Sequence, residues 1–198
     1  MRLLHKFTRI IDSISEGLGW LSMILVIVTV GIGFYNVAAR YLGRFIGVQL
    51  STNLFIELQW YLFSLVFFLG FPYILKNGIN VRVDFLYANW SHKRQATIDF
   101  WGHLMFLITF CIIGIYVTID PVLRSWGRQT SGAWGTWELS PDPSGLPRAP
   151  IKSMIIFAFV MLLLQTFAQL IKLYGVMRGR EDLIPAELAD SQAPIRIE

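Results

Sequence analysis

Residues 57–84 read ELQWYLFSLVFFLGFPYILKNGINVRVD, and this stretch decides the fold. An apolar run long enough to cross a bilayer carries an acid, Glu57, near one end and a Gly-Phe-Pro break near the other. Beyond it, Ile79, Val81, Val83 and Phe85 alternate with Asn80, Arg82 and Asp84, a pattern too short to separate a strand from an irregular loop. A carboxylate beside some twenty apolar residues is expensive in lipid unless something pairs with it, so Glu57 implies a partner helix or a partner subunit.

Composition sets the class. The 198 residues are 55% hydrophobic and 15% charged. With a mean hydropathy of +0.54, the chain carries four apolar runs, each able to cross about 30 Å of hydrocarbon. The expected fold is an all-α integral membrane protein with spans at about 17–39, 54–75, 98–119 and 151–173. The single Cys111 excludes a disulfide framework and a cysteine-based metal site. The net charge of +4 sits mostly beside the spans, where it reports orientation against the membrane and not nucleic-acid binding.

Residues 1–16 place Leu3, Leu4, Phe7, Ile10, Ile11 and Ile14 on one helical face, opposite Arg2, Lys6, Arg9, Asp12 and Ser13. That is the pattern of an amphipathic helix lying in the membrane interface, and the expectation is a retained interfacial helix, not a cleaved leader. The first span carries Thr29, Gly33, Asn36 and Arg40 on one stripe; Asn36 can cross-link to another helix or bond within its own bundle, and Arg40 can pair or snorkel. Residues 41–53 are too apolar for a solvated loop and too few to span, so a short interfacial segment is expected between the first two spans. The second span presents Glu57, Tyr61, Ser64 and Phe68 on one stripe, and Pro72 is expected to kink or end it.

His103 has no second intramembrane histidine for a haem, so an interfacial, paired role is expected of it. The third loop holds Trp126, Trp134 and Trp137, expected as headgroup anchors, and five prolines that argue for an ordered, non-helical path. In the fourth span Gln165 and Gln169 share a face expected to point into protein. Residues 176–198 are polar and expected to form a flexible tail. For an even span number, eleven basic residues fall on the side of the termini and second loop, six on the other. The termini are therefore expected in the cytoplasm. Arg40 and Glu57 flank the same loop, which suggests an ion pair with each other or across a subunit interface. The pair Arg82 and Asp84 reads equally as a contact site or as a solvated loop.

No phosphate loop, metal-ligand spacing or nucleophile–base arrangement is apparent. A resemblance supplies what motifs do not. Arg40-Tyr41, Glu57 followed by Tyr61-Leu62-Phe63 and Leu69-Gly70, and the exit Val81-Arg82-Val83-Asp84 resemble the small membrane subunit of tripartite ATP-independent periplasmic (TRAP) transporters. The run SPDPSGLPR at 140–148 and Gln165 resemble the longer-loop branch of that family; Asn80 departs from it, where histidine is frequent. The resemblance implies a scaffold in the bacterial inner membrane that does no chemistry and needs no cofactor. Its implied partners are a large multi-span transport subunit, a periplasmic binding protein delivering an organic acid for ion-coupled uptake, and membrane lipid. The alternative class is a helical membrane anchor of a redox complex.

Overall fold

A computed structural model describes residues 2–79, 87, 90–143 and 145–179. Four helices are long and apolar enough to cross a membrane: α1 (Arg2–Ile46), α2 (Asn53–Lys76), α3 (His92–Ser125) and α4 (Arg148–Met177). The chain is thus an all-α membrane protein with four spans. No strand occurs among the described residues; Arg128 and Trp134 form an isolated bridge in the third loop.

α1 differs from expectation. Residues 3–16 are not a separate element, because the helix runs unbroken for 45 residues into the first span. At about 1.5 Å per residue it is roughly 68 Å long, more than twice the hydrocarbon thickness. Nothing between Glu16 and Gly17 breaks the helix. It stops instead at Gly47, whose φ of +74° is a left-handed conformation that glycine adopts without a Cβ penalty. The Val48 N–H bonds back to the Gly43 carbonyl at 3.1 Å, closing the terminus with a six-to-one turn. Residues 41–46 therefore extend α1, which shortens the link to α2.

Prolines do not stop these helices. α2 continues past the buried Pro72 to Lys76 and ends at Gly78, where the Ile79 N–H repeats the closure on the Ile74 carbonyl. α3 continues past Pro121 to Ser125, and contains a π-helical turn at His103–Leu107. Pro150 lies in the first turn of α4, where a backbone N–H has no intrahelical partner to lose.

α4 is the hub. It packs against α1, α2 and α3, while α1 and α2 pack along each other. Of the most apolar window of each span, 44% is buried in α4 and 11% in each of the others. Leu75, Cys111 and Leu162 form the apolar centre, with Phe71, Leu107, Phe159 and Leu163 around it. Two glycines permit close approach: a Cβ on Gly19 would lie 2.2 Å from the Tyr73 ring, and one on Gly114 would lie 2.6 Å from Phe159. The polar tail beyond Gly179 and residues 80–86 lie outside the described residues.

Candidate functional site

The polar side chains gather at the two ends of the bundle. At the third-loop end, α2 carries Glu57 and Tyr61 one turn apart on one face. Glu57 is 3% exposed. The Ser140 hydroxyl donates to one carboxylate oxygen and the Leu146 backbone N–H to the other. Tyr61 donates its hydroxyl to the Pro147 carbonyl. Arg148 is the cation acting on Glu57 at longer range, and among the described residues no ion pair joins Arg40 to Glu57. Arg40 is exposed.

Both Glu57 contacts depend on the loop coming close. A Cβ on Gly145 would lie 2.3 Å from Ser140 Cβ and 2.8 Å from Glu57 Oε2, so the turn over the carboxylate is shaped for glycine. The loop is then fastened to α3 and α4. The Glu138 N–H donates to the Ser125 carbonyl at 2.8 Å, and the Arg148 N–H donates to the Glu138 carbonyl at 2.9 Å. Lys152 donates to the Glu138 carboxylate in an ion pair. That hydrogen bond holds the Glu138 carboxyl below the usual glutamate range, against the opposing effect of burial. Trp126 donates Nε1–H to Ser153 Oγ at 2.7 Å and packs at a tilt against Trp137, 6.0 Å between centroids.

On α1 near this end, the buried Asn36 accepts a hydrogen bond from Ser51, which ties the helix to the link before α2.

The opposite end holds a second network. Lys172, 5% exposed, pairs with Asp12 at 2.7 Å. Gln165, fully buried, donates Nε2–H to Asp12 at 3.0 Å and accepts from Ser15 Oγ at 2.7 Å. Lys76 pairs with Glu16, fixing α2 to α1 at the same level. Gln169 is also buried, and its Oε1 has no partner among the described residues. Gly70 faces Ser22, whose hydroxyl donates to the Val66 carbonyl at 2.9 Å. Arg82 and Asp84 lie outside the described residues.

Sequence reasoning singled out Glu57, Tyr61 and Gln165 but not their partners. Ser140, Gly145 and Leu146 meet Glu57 from more than eighty residues away, and only the small-residue run before Arg148 hints at a close turn. Asp12 read as part of the polar face of a surface helix, so its approach to Lys172 at the end of α4 was not legible; the continuity of α1 is what brings the two to one level. Among the described residues no three His, Cys, Asp or Glu side chains approach closely enough to hold a metal. The network chemistry is that of a brace: charge is buried, paired and immobilised.

The family whose sequence model matches is described as "Tripartite ATP-independent periplasmic transporters, DctQ component", over residues 29–175. That range runs from the middle of α1 to the end of α4. No curated protein and no solved structure is matched.

Proposed function

Because the chain belongs to the DctQ family of TRAP transporter components, where it is the small membrane subunit, we propose that it holds the large transport subunit in place for ion-coupled uptake of an organic acid. The acid would arrive on a periplasmic binding protein, and the setting would be the bacterial inner membrane. The observation that carries this reading is the family match from the middle of the first span through the fourth. Two features of the fold support a scaffolding role. The intramembrane charges are engaged inside the chain, as Asp12–Lys172 and Glu57 show. What α1 presents outward is apolar, with Ile27, Val30 and Phe34 exposed beside Gly31, whose Cβ direction is open. Such a surface suits van der Waals packing against lipid or a neighbouring transmembrane helix.

The basic-residue excess supports cytoplasmic termini and a periplasmic third loop. Reporter fusions at Gly78 and Gly132 test that orientation, with cytoplasmic and periplasmic signals expected respectively. The transporter reading is tested by co-expression with the large subunit and reconstitution into proteoliposomes with the binding protein. Co-purification and uptake that needs this chain are expected. Full uptake by the large subunit and binding protein alone would overturn the scaffold role.

A further inference from the structure

We propose that the third-loop end of α1 and the start of α2 form a binding site for the phosphate of an anionic phospholipid headgroup. A cavity of about 480 Å³ opens there. Arg40 and Arg44, one turn apart on α1, line one wall; Ser51, Thr52 and Asn53 line the other, with Ile56 at its apolar edge. Both arginines are exposed, and among the described residues neither has a hydrogen-bond or ion-pair partner. Thr52 makes no side-chain cap on α2; its carbonyl takes the Phe55 N–H at 3.2 Å, and the Asn53 and Leu54 N–H groups are left uncapped beside the same space. Two guanidinium forks and a helix N-terminus together favour an oxyanion, and a planar fork matches two phosphate oxygens at once.

Depth selects the source of that phosphate. On α1, the Asp12 level at one end and the Asn36 level at the other are separated by about 36 Å at 1.5 Å per residue, which brackets the hydrocarbon. Arg40 and Arg44 then stand roughly 6 and 12 Å beyond Asn36, within the headgroup layer. No aspartate or glutamate lines the cavity to receive a choline or ethanolamine ammonium. The one nearby acid on α2, Glu57, has both oxygens taken by Ser140 and Leu146. A phosphatidylglycerol-like headgroup therefore fits better than a zwitterionic one.

The site belongs to this chain alone, so its test stands apart from the transporter reading. Purified full-length chain is titrated with phosphatidylglycerol or phosphatidylcholine and bound lipid is counted by native mass spectrometry. Thermal shifts with inorganic phosphate form a third arm. We expect preferential binding of phosphatidylglycerol, little effect of free phosphate, and roughly tenfold or greater weakening in R40Q/R44Q. R44Q alone should be intermediate. R124Q/R128Q, which removes equal charge from the same end of the molecule, should bind as wild type. Unchanged binding by R40Q/R44Q, equal loss in R124Q/R128Q, or no preference over phosphatidylcholine would overturn the site. Stabilisation by inorganic phosphate equal to that by phosphatidylglycerol would overturn its assignment to lipid.

Discussion

Glu57 on α2 and Gly145 in the third loop meet so closely that a Cβ on the glycine would stand 2.8 Å from the carboxylate. The loop therefore folds over the acid and hands it the Leu146 N–H and the Ser140 hydroxyl. Gly145→Ala should push this turn off Glu57 and destabilise the protein by about 1–3 kcal/mol, as overpacking does. Glu57→Leu should be worse than Ser140→Ala, since it strands two donors at once. Limited proteolysis of the loop and thermal unfolding in detergent measure both. An intact, protease-resistant loop in Glu57→Leu would mean that the carboxylate does not hold it.

The Lys152–Glu138 pair makes the same loop sensitive to acid. Glu138 titrates lower in the folded protein than in the unfolded chain. Its contribution is therefore fully present above the ordinary glutamate pKa and is lost as pH falls through the lower folded value. Tryptophan fluorescence should report loosening of the Trp126–Trp137 contact in that acid window, with the loss reduced in Glu138→Gln, which lacks that carboxyl. An acid transition of equal size in wild type and variant would assign it to another group.

The approach of α1 to α2 turns on Gly19. Its Cβ direction is filled by the Tyr73 ring, whereas that of Gly31, twelve residues on in the same helix, meets nothing within 4 Å. Gly19→Ala should thus destabilise the α1–α2 contact, by about 1–3 kcal/mol. Gly31→Ala should be neutral or gain up to about 1 kcal/mol of helix propensity. Equal stabilities for the two variants in thermal unfolding would show that the ring moves aside without loss.

Span number and helix class were legible because the length of an apolar run is a local property. Helix ends were not. Pro72 looked like a kink or an end, yet α2 runs past it to Lys76, and it is the glycines at 47 and 78 that close α1 and α2. Glu57 declared in the sequence that it needed a partner, and Arg40, which flanks the same loop, was the natural candidate. The partner came instead from a loop whose path depends on Gly145 and on contacts with α3 and α4, none of it encoded near Glu57. Gln165 showed its inward face by polarity, but its partner Asp12 lay in a segment whose periodicity described a helix on the membrane surface, not one continuing the span.

Asp12 and Lys172 join the start of the chain to the end of the last span, and they are the best buried ion pair among the described residues. Removing Lys172 strands the Asp12 charge, and removing Asp12 strands both Lys172 and the Gln165 amide that donates to it. Breaking such a pair from one side costs about 3–5 kcal/mol, while replacing both members with apolar residues is often near neutral. Asp12→Leu and Lys172→Leu should each lower thermal stability strongly, and the double variant should recover much of the loss. The same cycle scored by cross-linking between α1 and α4 separates local loosening from global unfolding, because the Lys76–Glu16 contact holds α1 to α2 independently. Additive losses, with the double variant worst, would show that each charge acts through water or headgroups and that the pair does not bind the two helices.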